Sequence, residues 1–80
     1  MRNDESKALR APDMTAAEIK EARHALGLSV FDCANLCGIE GPNAQTRWRE
    51  IERGDRFAMP AHRRLLLAYL AGYRPPDWPL

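Results

Sequence analysis

The sequence predicts an all-α protein, a compact bundle of four or five short helices. Three observations carry that expectation. Apolar residues recur at intervals of three and four, and no stretch alternates with the period of two that a half-buried strand needs. Gly27, Gly38, Gly54 and Gly72 each stand just past such a run, where helices terminate. Thr15, Ser29 or Pro60 opens a run at its other end. At 80 residues the chain is one small domain with a thin core.

Residues 1–13, "MRNDESKALRAPD", are charged and aperiodic and read as a disordered leader. The folded domain then spans residues 14–73. In its first helix Thr15 is the N-cap and Glu18 completes a capping box. Ile19, Ala22, Ala25 and Leu26 form the inner face, and Gly27 is the stop. The second helix is capped by Ser29, turns Cys33, Ala34 and Cys37 inward, and closes at Gly38. At about eight residues it could not stand alone in water and depends on its neighbours. "IEGPNA" is a turn in which Pro42 can open a helix and Asn43 can cap one. The third helix runs from Asn43 or Ala44 to Arg53, with Ala44, Trp48 and Ile51 as one narrow inward stripe, and Gly54 ends it. The fourth starts at Pro60 and carries Leu65, Leu66, Ala68, Tyr69 and Leu70, of which Leu66, Tyr69 and Leu70 are expected to close the core. Residues 74–80 form a Pro-rich tail that cannot be helical.

The formal net charge of +1 divides unevenly. Residues 1–42 hold five Lys/Arg against seven Asp/Glu, and residues 43–80 hold seven Arg against four Asp/Glu. The second half is therefore suited to an anionic partner. No apolar run is long enough to span a bilayer, and the polar start has no signal core, so no membrane partner and a cytoplasmic location, bacterial or phage-encoded, are expected. Cys33 and Cys37, without a second pair, read as small core residues in a reducing compartment rather than as metal ligands. His24 and His62 read as helix-surface residues. No nucleophile–base pair, phosphate-cradling loop or carboxylate pair is present. The expectation is a protein that is not an enzyme, with no metal, no cofactor and no small-molecule ligand.

The third helix raises the functional question, because it offers little to a core and much to the outside. Two short helices joined by a glycine-bearing turn are the arrangement of a helix-turn-helix. A helix that enters the DNA major groove spares only a narrow stripe for its own core. Short polar side chains such as Gln45 and Thr46 reach base edges, and arginines such as Arg47, Arg49 and Arg53 hold phosphates or read guanine. The competing reading is an ordinary solvated helix face. Ala34, small and inward-facing on the preceding helix, permits the close helix approach that favours the first.

"LGLSVFDCANLCGI" (26–39) and "TRWREIERGDR" (46–56) resemble the Cro/cI-type, or XRE, family of helix-turn-helix regulators from bacteria and phages. The likeness spans roughly residues 15–72 and rests on Leu26–Ser29, Ala34, Gly38 and Ile51–Gly54 together. It implies a lambda-repressor-like domain that binds double-stranded operator DNA, usually as a two-fold dimer, and represses transcription. By position it implies Gln45, Thr46, Arg49 and Glu50 as base-reading residues, and Asn43, Arg47, Arg53 and Arg56 as phosphate-binding ones. It also implies a structural ion pair between Arg23 and Glu52. The chain departs from the pattern in three ways. The turn is longer than the family's by about four residues. Val30 replaces a phosphate-binding Gln, which leaves backbone N–H groups to serve there. Only one good helix follows the third, so the dimer contact is expected to differ from the family's usual one. The tail, with Tyr73, Trp78 and Leu80, is the expected dimerisation element; the alternative is that it folds back over its own core. A rival function keeps the fold as a protein-interaction module of the antitoxin or polymerase-binding kind. Phe31, Phe57, Met59, Trp78 and Leu80 would suit it.

Overall fold

Residues 13–80 are described by a computed structural model, and within them four helices and no strand make up the fold. They are α1 (Ala16–Leu26), α2 (Val30–Leu36), α3 (Ala44–Arg53) and α4 (Pro60–Leu70). The leader expected over residues 1–13 lies, save for Asp13, outside the described residues.

The helix ends follow from local chemistry. At α1 the Thr15 hydroxyl accepts from the Glu18 N–H at 3.1 Å, while the Glu18 carboxylate accepts from the Thr15 N–H at 2.8 Å. Two otherwise unpaired donors are thereby satisfied. The Ser29 hydroxyl does half of this for α2, accepting from the Asp32 N–H at 3.0 Å. Gly27 and Gly54 close α1 and α3 in the left-handed region at φ 74° and 84°, a conformation that costs any residue with a Cβ.

Asn43 corrects an expectation. It precedes α3, but its side chain makes no capping hydrogen bond. Its φ/ψ of −100°/11° is not extended, whereas Thr15 and Ser29 are, and the extended form is the one that aims a cap side chain back at the first turn. At α4 the role falls to a histidine: His62 Nδ1 accepts from the Met59 N–H at 3.2 Å.

The core sits where α3 crosses α2 and α1, with α4 packed against α1. Ala34 and Ala44 are fully buried and let the α2 and α3 backbones approach. Trp48, at 0 % exposure, fills the centre, with Ile19, Ile51, Leu66 and Cys33 around it. Burial of so large an apolar side chain is worth about 3 kcal/mol. Leu28 and Ile39 join the core from the loops beside α2. They were missed because loop residues carry no helical period.

Two expected core residues are outside it. Ala25 is exposed, and Leu70 is 45 % exposed. Ile19, Ala22 and Leu26 share one line on α1, and Ala25 stands to one side of it. There α1 and α4 leave an open groove of about 380 Å³ whose lining includes Glu18, Glu21, Ala25, Leu67 and Leu70.

The tail folds back on its own domain. Trp78 packs edge-on against Tyr69 at 5.3 Å between ring centroids, and the Arg74 guanidinium lies 4.3 Å from the Trp78 ring. Leu80 reaches Gly27, its Cδ1 3.5 Å from where a Cβ would stand. Tyr73 stacks on Tyr69 and remains largely exposed, as does Leu80. The Tyr69 hydroxyl donates to the Leu36 carbonyl oxygen at 2.6 Å and so satisfies an acceptor at the end of α2; burial pushes its pKa up to about 12.

Candidate nucleic-acid interface

α3 divides cleanly around its circumference. Ala44, Trp48 and Ile51 are buried, and Gln45, Thr46, Arg47, Arg49 and Arg53 are exposed. Thr46, Arg49, Glu50 and Arg53 lie on the side opposite the buried stripe, and Gln45 and Arg47 flank it. Several outward groups are engaged with one another. Arg49 Nη2 donates to the Gln45 side-chain oxygen at 3.2 Å. Arg53 pairs with Asp55 at 3.1 Å, an exposed contact of little energetic weight. Glu50 is half-buried and accepts from Arg56 Nε at 3.0 Å, so these two charges neutralise each other in the free chain.

The helix is held in place by one carboxylate. Glu52 receives Arg23 Nε at 2.6 Å and Trp48 Nε1 at 2.7 Å on one oxygen, and Arg23 Nη2 at 3.1 Å on the other. Arg23 also donates to the Leu28 carbonyl oxygen at 3.1 Å. The two charged side chains are only 12 % and 7 % exposed. The hydrogen bond to Glu52 raises the Arg23 pKa against the opposing effect of burial, which keeps the guanidinium firmly charged. The resemblance implied the ion pair. The indole bond was missed, although Trp48 and Glu52 stand four apart on one helix and are neighbours by geometry.

Lys20 was also given no role from the sequence. It lines a hollow of about 270 Å³ with Arg23 and Val30 on one side and Arg49, Glu52 and Arg53 of α3 on the other. Its spacing of three from Arg23 is the signal that could have found it. With Glu52 already satisfied by Arg23 and Trp48, the hollow is strongly cationic.

His62 is not a simple surface residue. It is half-buried and meets the Trp48 ring edge-on at 5.9 Å. Burial, and secondarily the Arg47 charge, lower its pKa below 6.5. The two residues are too far apart in sequence for periodicity to pair them. Cys33 and Cys37 are free and buried. Their mutual hydrogen bond and burial push the Cys33 thiol up, so it is inert as a nucleophile. Among the described residues no group of three His, Cys, Asp or Glu side chains could hold a metal ion, and no helix is long and apolar enough to cross a membrane. No family model, curated protein or solved structure matches the chain.

Proposed function

We propose that this chain is a sequence-specific DNA-binding regulator, a small dimeric cytoplasmic repressor of the helix-turn-helix kind that lays α3 in the major groove. One observation carries the reading. α3 gives only Ala44, Trp48 and Ile51 to the core, yet Glu52 anchors it to α1, so a rigid helix presents Gln45, Thr46, Arg49 and Arg53 outward. Rigid presentation of donors, acceptors and cations is what base-edge readout requires. Gln45, Thr46, Arg49 and Glu50 read bases in this scheme, with Glu50 released from Arg56 as that arginine turns to a phosphate. Asn43, Arg47, Arg53 and Arg56 take phosphates, and Lys20 joins them at the hollow beside Arg53.

The test is a mobility-shift titration on the DNA upstream of the reading frame, at several salt concentrations, with scrambled DNA as control. Specific binding that weakens steeply with salt is expected, and Arg47→Ala, Arg49→Ala or Arg53→Ala should lower the salt slope by about one unit in at least one case. Binding indifferent to salt would favour a protein-interaction module instead. Phe57, at 95 % exposure, is the observation that favours that second reading.

A further inference from the structure

A hollow of about 550 Å³ lies between the α2–α3 turn, α3 and the connector that leads to α4. Sites for small molecules usually measure about 300–1,000 Å³. Ile39 and Ile51 reach the hollow from the core, and the exposed Met59 and Phe57 extend its apolar surface to the rim. Its charges are unequal, with Arg47 and Arg56 set beside the single Glu40. Arg56 is paired with Glu50 at 3.0 Å, whereas Arg47 makes no ion pair with a carboxylate among the described residues. His62 adds a second donor to the lining. Its Nδ1 accepts from the Met59 N–H, so the proton of the neutral ring sits on Nε2, which has no hydrogen-bond partner among the described residues.

We propose that this hollow binds a small organic anion with an apolar body, an aromatic or medium-chain aliphatic carboxylate, and that the bound anion withdraws Arg47 from DNA. The carboxylate meets the Arg47 guanidinium and the His62 Nε2–H, and the hydrocarbon lies on Ile39, Ile51 and Met59. A few convergent polar groups over an apolar bed are what orient a small ligand. A guanidinium matches a carboxylate with two parallel N–H donors, and a neighbouring apolar surface strengthens the pair by excluding water. Other ligand chemistries fit less well. A cation is repelled by Arg47, a neutral alcohol leaves it unpaired, and inorganic phosphate leaves the apolar bed wet. The apolar residues come from the turn, α3 and the connector, which is why the sequence led to no expectation of a small-molecule ligand. The inference rests on the proposed function for its consequence, because Arg47 takes a phosphate in that reading. One guanidinium cannot hold a ligand carboxylate and a DNA phosphate at once, so the loaded chain has one phosphate contact fewer. The binding itself is measured without DNA.

Titration of the full chain with naphthoate and with decanoate, followed by nitrogen–proton correlation NMR, provides the test. Sodium acetate at equal concentration is the ionic control, and naphthalenemethanol is the neutral one. Saturable shifts centred on Ile39, Arg47, Met59 and His62 are expected for at least one of the two anions. Naphthalenemethanol should bind about tenfold or more weakly than naphthoate, since it forms no charge-assisted pair. Arg47→Ala should abolish that preference, and Met59→Glu should weaken binding of both anions. The same spectra report whether each variant keeps its fold. At saturation the anion that binds should lower operator affinity by about the same factor as Arg47→Ala, and should not lower that of Arg47→Ala further. Failure of both anions to bind, or binding indifferent to the charge or to Arg47→Ala, overturns the inference and leaves the DNA reading standing. Shifts centred on the groove between α1 and α4 overturn it too and assign the anion to that groove. An anion bound in the hollow with operator affinity unchanged also overturns it, because Arg47 is then not withdrawn. An anion held in the hollow by Arg47, in a chain that shifts no DNA, supports the site and removes the proposed function.

Discussion

Replacement of Glu52 by alanine tests what holds α3. The carboxylate accepts three hydrogen bonds, two from Arg23 and one from Trp48. Were the pair exposed, its loss would cost about 0–1 kcal/mol. With side chains 12 % and 7 % exposed the pair is part-buried and lies nearer the buried class, in which removal of one partner costs about 3–5 kcal/mol because the other charge stays desolvated. The indole N–H would add about 1–3 kcal/mol if left unpaired, less the share that water entering the vacated space recovers. A loss of about 4 kcal/mol follows, against a total of roughly 4–12 kcal/mol for a domain of this size. Glu52→Gln keeps an acceptor and loses the charge, and should cost about half as much. Arg23→Met combined with Glu52→Leu should be markedly less harmful than Glu52→Ala alone, since it removes both charges and refills the volume. Urea unfolding followed by far-ultraviolet circular dichroism measures all four chains, with the denaturant slope checked for constancy. A Glu52→Ala protein within about 0.5 kcal/mol of wild type, the range of an ordinary surface change, would refute the argument and show α3 to be held by its apolar stripe alone.

Gln45→Ala and Thr46→Ala should each reduce discrimination between operator and random DNA by about 1–3 kcal/mol in competition binding, while their unfolding midpoints stay at the wild-type value. Trp78→Ala should lower stability by about 2 kcal/mol through loss of the Tyr69 and Arg74 contacts, with the sedimentation behaviour unchanged. A shift to monomer without loss of stability would instead make the tail a dimer element. His62 has a folded-state pKa below its ordinary 6.5, so the unfolded chain binds the proton more readily. Its contribution is complete above that value and is lost as pH falls through 6.5 towards the lower folded-state value. Thermal midpoints should therefore drop between pH 7 and pH 5 in the wild type, and less steeply in His62→Gln.

What could be read from the sequence was what is local. The Thr15–Glu18 cap, the Ser29 cap and the Ala44–Trp48–Ile51 stripe each depend on residues within one or two turns, and the structure contains all three. Ala25 and Leu70 were placed inside because period alone does not say how closely two distant helices meet, and α1 and α4 stay apart there. His62 against Trp48, and the Tyr69 hydroxyl on the Leu36 carbonyl, join residues far apart in the chain, and only the packed fold brings them together. Asn43 failed as a cap for a subtler reason: residue type suggested the role, but the turn fixed a backbone angle that forbids it.

The division of α3 has an evolutionary consequence. Ala44, Trp48, Ile51 and Glu52 carry its attachment, while Gln45, Thr46, Arg49 and Arg53 make no contact on which the fold depends. Substitutions at the second set can be explored by drift without a stability threshold intervening, whereas those at the first are purged. Diversification should therefore concentrate on the outward positions. A library randomised at 45, 46, 49 and 53 should return mostly folded proteins that differ in what they bind, and one randomised at 48 and 52 should return few that fold at all.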